Sequence, residues 1–426
     1  MERELGDIRY LSRTHKKLQS LMNRVSAESI KAAHRKQESG KATGIDGIAK
    51  AEYGEKLNEN AADLIERMKK FSYKPLPVRR TYIPKADGKL RPLGIPAYED
   101  RLVQSVMADI LSDIYEERFL DYSYGYRPDR SQHDAVKIIN DTIMGKKAGY
   151  VLEADIKGFF DNVDHEWLMK FLGNDIEDKN FLRYVKRFLI AGIMEDGEYR
   201  ESEKGTPQGG LISPILANVY LHYVLDLWFD RVLKKECKGE VYYIRFADDF
   251  LLIFQYESEA KQALDALRER LRKFGLELSE EKTRIIPFGR YKGGKDDFDF
   301  LGFTFYNTTT MTGKYRTGIR TSKKKMKVKR QVIKAWLWEQ IHKPIAETMK
   351  KLAVKVKGHY NYYGVNGNSK MLYNFWVYVK YVCWKAINRR SQKRSMKTNI
   401  FERIWTYYIP PPRLTINIWT MKPKLV

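Results

Sequence analysis

Residues 241–254 read VYYIRFADDFLLIF, two apolar runs with a pair of adjacent carboxylates between them. β-Branched and aromatic residues dominate both runs, and each has the length of a strand, which predicts a hairpin rather than a helix. Asp is disfavoured in strands, so Asp248 and Asp249 need a reason to be there. Two unit charges about 4 Å apart repel by roughly 4 kcal/mol at an effective dielectric near 20. A cation offsets that cost, and hard divalent ions favour carboxylate oxygens together with phosphate oxygens. An Asp-Asp pair also suits a hairpin turn, because Asp tolerates turn conformations. The stretch by itself leaves both readings open.

The balance changes at residues 149–168, GYVLEADIKGFFDNVDHEWL. Tyr150-Val151-Leu152 reads as a buried strand that delivers Asp155 at its end. Two such strand ends, side by side in one sheet, would gather Asp155, Asp248 and Asp249 at one point. That arrangement suits two metal ions about 3.5–4 Å apart, which activate an attacking oxygen and stabilise leaving phosphate oxygens. Asp161 and Asp164 fall on the following turn and helix start, where acids cap. His165 is expected at the surface or as a cap, and Asp299 precedes a strand with no partner in view.

Farther out, residues 1 to about 75 show helical spacing, as in Leu57, Ala61, Leu64, Ile65 and Met68. The Gly-rich GKATGIDGI (40–48) has no strand before it and so lacks the setting of a phosphate-cradling loop. VRRTYIPKADGKLRPLGIP (78–96) predicts two short strands around an Asp-Gly turn, crowded with basic residues. They read either as solubilising charges on an edge hairpin or as a finger that grips phosphates. Helices are expected at 99–120, 131–144 and 258–274, a turn-rich loop and a long apolar helix within 205–229, and strands within 283–305. This alternation indicates an α/β or α+β sheet domain. Composition shifts near 306. From Lys314 to Arg330 there are nine Lys or Arg and no Asp or Glu. Aromatic-rich helices are expected at about 323–342, 345–363 and 369–390, with Trp376 and Trp384 as packing residues. The tail after 391, which contains PPPR, is expected to be irregular.

The 426 residues exceed one compact core. The formal net charge of +24 points to a polyanionic partner, nucleic acid or a membrane surface. No apolar stretch is long enough to span a bilayer, and the charged N-terminus does not resemble a signal peptide; a cytoplasmic protein is expected. Two distant cysteines exclude a disulfide framework and a four-Cys zinc site.

GIDG, YIPKADGKLRPLGIP, SYGYRP, ADIKGFFDNVDH, GTPQGGLISPILANVYL, RFADDF, EKT and FLGF occur in this order. On these motifs, over roughly residues 35–412, the chain resembles the reverse transcriptase–maturases encoded by bacterial group II introns. The resemblance implies an α+β right-hand polymerase fold. It divides into an N-terminal extension and fingers (1–98), a palm with an antiparallel sheet and the remaining fingers elements (99–305), a helical thumb or maturase domain (306–390) and a C-terminal tail (391–426). It implies Asp155, Asp248 and Asp249 as ligands of two Mg²⁺ ions, with Mn²⁺ as a substitute, assisted by the Ile156 carbonyl. Phe160 matches the residue that excludes a ribose 2′-hydroxyl, though a core aromatic reads the same way. Gln208 matches a contact to the incoming nucleotide. Lys85 and Arg91, and more weakly Arg79, match residues that hold its triphosphate. Lys282 matches a general acid for the leaving pyrophosphate, and Leu301 and Gly302 the primer grip. KGHYNYYG (357–364) and NRRSQKR (388–394) are typical of the maturase part, where interleaved aromatic and basic residues suit RNA binding.

The implied partners are an RNA template, structured intron RNA above all, a DNA primer or target, and dNTPs. Phe246 departs from the Tyr commoner in the family and keeps the ring. The Cys-rich HNH endonuclease of many relatives is not expected in these residues. Besides an enzyme that copies RNA into DNA, two settings stay open. One is a protein that serves mainly as an intron RNA-binding splicing cofactor. The other is a free-standing defence- or CRISPR-associated reverse transcriptase.

Overall fold

The computed structural model describes residues 2–84, 90–206, 209–390 and 395–422. The chain opens with α1 (Glu2–Thr14), α2 (Ala27–Lys36), α3 (Lys50–Glu55) and α4 (Leu57–Lys69). The Ser26 side chain accepts from the Ser29 amide and Ser29 reciprocates, a capping box that starts α2. On α4 the predicted face, Ala61, Leu64, Ile65 and Met68, is the buried one.

β1 (Val78–Pro84) and β2 (Leu90–Ile95) form the predicted antiparallel hairpin. Next come α5 (Tyr98–Glu116), α6 (Gln132–Gly145), β3 (Tyr150–Asp155), α7 (Phe159–Asn162), α8 (His165–Asp175) and α9 (Lys179–Leu189). Asp164 caps α8 by accepting from the Trp167 amide at 3.0 Å, the role expected of it. A short hairpin, β4 (Ile193–Glu195) and β5 (Glu198–Arg200), then docks beside β1 in parallel, giving a four-stranded sheet in the order β2-β1-β4-β5.

The site rests on a second sheet. After α10 (Ser213–Leu221), two π-helical turns (His222–Asp226 and Phe229–Leu233) and α11 (Lys234–Glu236) lead to β6 (Val241–Phe246) and β7 (Asp249–Phe254). α12 (Glu257–Lys273) and β8 (Arg284–Pro287) follow, and the sheet order is β6-β7-β3-β8, antiparallel throughout. The apolar runs are continuous rather than alternating because both faces are covered. Phe250, Leu252 and Phe254 of β7 enter one core with α5, α8, α10 and α12. Leu251 and Ile253 enter a second core with α6 and the strands that follow.

Those strands are β9 (Asp297–Phe300), β10 (Phe303–Thr309) and β11 (Tyr315–Thr321), an antiparallel sheet in the order β9-β10-β11. The boundary expected at 306 falls inside β10, and its partner β11 lies where a run of Lys and Arg masks the strand alternation. α13 (Lys323–Glu339), α14 (Ile345–Tyr363) and α15 (Ser369–Asn388) match the three expected helices. The tail is not irregular. α16 (Thr398–Tyr408) buries Phe401 and Trp405 against α14 and α15, while Trp376 and Trp384 are half-buried at the edge of that core.

Candidate active site

The β3–β7 register sets Asp155 opposite Asp249. The Asp155 carbonyl accepts from the Ser279 amide at 2.8 Å, so the polar groups of Asp155 point toward the β8 side of the strand. Asp155 and Asp249 are therefore a non-hydrogen-bonded pair, the kind in which Cα atoms approach to about 4.5 Å and side chains lie closest. By the same alternation the Ile156 carbonyl faces the β7 side, beyond the strand end where Asp248 lies.

Asp248 is the second residue of a tight turn and Asp249 the first after it, since Phe246 pairs with Asp249 across the two-residue loop Ala247–Asp248. Ala247 takes φ 57° at the first central position, where such turns favour glycine. Strained backbone of this kind persists only where its surroundings hold it.

Three carboxylates at the end of one sheet disturb each other. Removal from water, then the Asp155 charge, pushes the Asp248 carboxyl up, against the pull of Arg91 and Lys282. Asp249 keeps a solvent-exposed edge, yet loss of water around its carboxylate, then Asp248 and Asp155, push it up to about 6. The exposed Lys282 donates from Nζ to Asp155 Oδ2 at 2.6 Å, and that bond holds its ammonium above the usual range. Among the described residues no three His, Cys, Asp or Glu side chains are drawn together as an ion cage as they stand. The donor set nevertheless fits a hard divalent ion: carboxylate oxygens at adjoining strand ends.

These groups open into a cleft of about 810 Å³ whose lining includes Asp155, Asp249, Lys282, Asp299, Lys325 and Tyr363. Leu301 and Gly302, at φ 49° and 78°, form the tip of the β9–β10 hairpin on its wall. The Tyr362 hydroxyl donates to the Leu301 carbonyl at 2.9 Å, and the Ser322 amide to the Gly302 carbonyl at 2.9 Å. Asp299 does have partners, contrary to expectation. It lies within β9 and accepts from the Thr304 and Ser322 hydroxyls, which ties the hairpin to the start of α13.

Phe160, on α7, is half-buried beside the fully packed Phe159, with ring centroids 5.3 Å apart. It lines a second cleft of about 400 Å³ with Arg80, Tyr82, Lys204 and Thr206. The Thr206 amide donates to the Phe160 carbonyl at 2.8 Å, so Thr206, in the GTPQGG segment, leans on α7. Farther along that segment, a Cβ on Gly209 would stand 2.3 Å from the Gly94 carbonyl oxygen, a close approach only glycine permits. Arg91 is exposed on β2 and close enough to influence Asp248. Arg79 instead donates twice to the Thr43 carbonyl, at 3.0 and 2.6 Å, fastening the GIDG loop. Lys85 and Gln208 lie outside the described residues.

A buried polar network under the turn was missed in the sequence. Arg245 and Asp226 are both 0% exposed and meet in a two-armed ion pair, Nε to Oδ1 at 2.7 Å and Nη2 to Oδ2 at 2.5 Å. Burial would push Asp226 up, but Arg245 holds it down at about 2. Breaking such a pair from one side costs about 3–5 kcal/mol. The available signal was an Arg inside an apolar strand, since charged residues are almost never fully buried unless paired.

A palm-like antiparallel sheet with carboxylates at adjoining strand ends, facing a cleft edged with lysine, defines a nucleotidyl-transferring polymerase. Residues 83–305 match the reverse transcriptase (RNA-dependent DNA polymerase) family. The chain is 33% identical over 329 residues to Protein YkfC of Escherichia coli, covering 70% of this chain and 84% of that protein. To the group II intron-encoded protein LtrA of Lactococcus lactis it is 37% identical over 262 residues, 57% of this chain and 43% of LtrA. To the Arabidopsis thaliana nuclear intron maturase 2, mitochondrial, it is 25% identical, over 46% of this chain and 30% of the relative. The chain belongs to the reverse transcriptase family. Its right-hand fold and its RNA-directed DNA polymerase class follow. No helix among the described residues is long and apolar enough to cross a membrane.

Proposed function

We propose that this chain copies a structured intron RNA into DNA by two-metal nucleotidyl transfer, centred on Asp155, Asp248 and Asp249. The observation that carries the proposal is the register that sets Asp155 opposite Asp249, with Asp248 on the adjoining turn. Asp155, Asp248, Asp249 and the Ile156 carbonyl would hold a pair of Mg²⁺ ions, with Mn²⁺ as a substitute. Bound there, the ions supply activation of the primer 3′-hydroxyl and neutralise charge on the α-phosphate and departing pyrophosphate.

The remaining work belongs to side chains. Lys282 donates to Asp155 Oδ2 and offsets part of its charge in the metal-free protein; that contact would loosen as an ion takes over the neutralising role. Lys282, released, stands within reach of the leaving group as its proton donor. Arg91, with Lys85, would neutralise triphosphate oxygens, since charge spreads over them during transfer. Phe160 would lie under the incoming sugar and exclude a 2′-hydroxyl, and Gln208 would contact the nucleotide. The Leu301–Gly302 tip would hold the primer end.

Replacing Asp248 with Ala should abolish extension of a DNA primer on an RNA template in Mg²⁺ while RNA binding stays nearly intact. Retained synthesis would sink the assignment.

A maturase role accompanies this chemistry in our reading. α15 exposes Tyr373, Val377 and Tyr381 at helical spacing, with Lys385 over the Tyr381 ring at 4.5 Å. Aromatic faces flanked by lysine suit stacked bases and phosphates. The names of LtrA and of the plant maturase point to intron RNA as the partner. In this reading the protein acts in the bacterial cytoplasm, nucleoid-associated when on DNA.

A further inference from the structure

Arg245 makes more bonds than an ion pair requires. Its Nε and Nη2 suffice to hold Asp226. The third nitrogen, Nη1, reaches the other way, donating to Asn218 Oδ1 at 2.9 Å and to the Ala247 carbonyl at 3.0 Å. Asn218 in turn donates to the Gly125 carbonyl at 2.7 Å. Gly125 presses on the turn from the opposite side: a Cβ there would stand 2.4 Å from the Ala247 nitrogen. The backbone that carries the guanidinium is pinned as well, since the Arg245 amide donates to the Tyr122 carbonyl at 2.7 Å and the Tyr124 amide to the Arg245 carbonyl at 2.8 Å. Asp226 closes one of the π-helical turns, a local change of pitch that aims its carboxylate at Arg245. Ala247, bonded at its carbonyl by Arg245 and closely packed at its amide by Gly125, is the residue held at φ 57°.

We infer that Arg245 is a positioning residue: clamped by Asp226, it holds the Ala247 carbonyl and so fixes the direction in which Asp248 and Asp249 present their carboxylates. The inference rests on the proposed roles of those two acids. A lysine at 245 keeps the charge but has no fork with which to bind Asp226, Asn218 and Ala247 together. Glycine at 247 adopts the same backbone without being held there.

The test compares wild type, Arg245→Lys, Ala247→Gly and the double variant in primer extension on an RNA template. Turnover, the KM for dNTP, the Mg²⁺ concentration for half-maximal rate and the thermal midpoint are measured for each. Arg245→Lys should lower kcat by about 100-fold, the scale of a misplaced reacting group, with KM little changed and more Mg²⁺ required. Adding Ala247→Gly should recover most of that loss, a rescue that a merely structural role for Arg245 does not predict. If Arg245→Lys does not fold, the uncharged pair Asp226→Leu with Arg245→Met serves instead, because apolar replacements of a buried ion pair are often tolerated. A folded variant whose kcat stays within about twofold of wild type, or a loss that Ala247→Gly does not repair, overturns the inference. Asp248→Ala separates the two levels. If that variant is dead while Arg245→Lys is normal, only the positioning role falls; if it is active, the reading of the site falls.

Discussion

Replacing Asp249 with Asn should stabilise the metal-free protein while destroying its polymerase activity. The Asp249 carboxyl is pushed from an ordinary 3.8 to about 6 by loss of water and by Asp248 and Asp155. Because the folded value lies above the unfolded one, the native state binds the extra proton. Stability therefore falls as pH rises from about 4 to about 6 and stays lower beyond that. At full strength the difference corresponds to about 3 kcal/mol. Asp249 keeps an exposed edge, so solvent screening brings the expected gain down to the order of 1 kcal/mol. In a chain of this length that is a rise of about 1 °C in the thermal midpoint. The assay is a thermal melt in chelator at pH 7.5 and pH 5, wild type against Asp249→Asn. The variant should melt higher at pH 7.5, and the gap should narrow at pH 5, where the wild-type acid is mostly protonated. Excess Mg²⁺ should reverse the order, since a ligand that binds the native state stabilises the protein that holds it best. A variant that melts lower without metal at pH 7.5, or a gap indifferent to pH, would refute the claim that these carboxylates strain one another.

Phe160→Ala should admit ribonucleotides; primer extension with rNTPs on an RNA template measures this, and unchanged sugar discrimination would remove Phe160 from the site. Gly209→Ala forces a Cβ against the Gly94 carbonyl oxygen at 2.3 Å and leaves a side chain at φ 113°. The strain of about 1–3 kcal/mol should lower kcat/KM for dNTP by about 10- to 100-fold. A dNTP titration with unaltered kcat/KM would show that the GTPQGG segment need not touch the fingers hairpin.

Much of the palm was legible in the sequence because its strands declare themselves twice, by apolar content and by a misplaced acid at the end. Asp155 and Asp249 could be expected side by side since strands of one sheet bring their ends together. What escaped notice was long-range. Arg245 finds Asp226 across 19 positions, and no local rule couples them; only the oddity of an Arg within VYYIRF hinted at it. Asp299 has its partners on neighbouring elements, Thr304 and Ser322, and such contacts exist only once β10 and α13 are placed. The helix at 398–408 was obscured by the nearby PPPR, although Phe401 and Trp405 stand at helical spacing and are both buried. Lys85 and Gln208 were singled out on resemblance, so their proposed roles rest on the sequence.

The hairpin tip at Leu301–Gly302 is bonded to the thumb rather than to its own sheet alone: to α14 through Tyr362 and to the start of α13 through Ser322. The two therefore form one lever. A shift of α13 and α14 would carry the tip along the cleft wall, and a pull on the tip would be felt in those helices. On the proposed roles, a primer end held by the tip and a duplex held by these helices would be gripped and released together. Stepping from one template position to the next would then be a single joint displacement, and losing either hold would mean losing the strand.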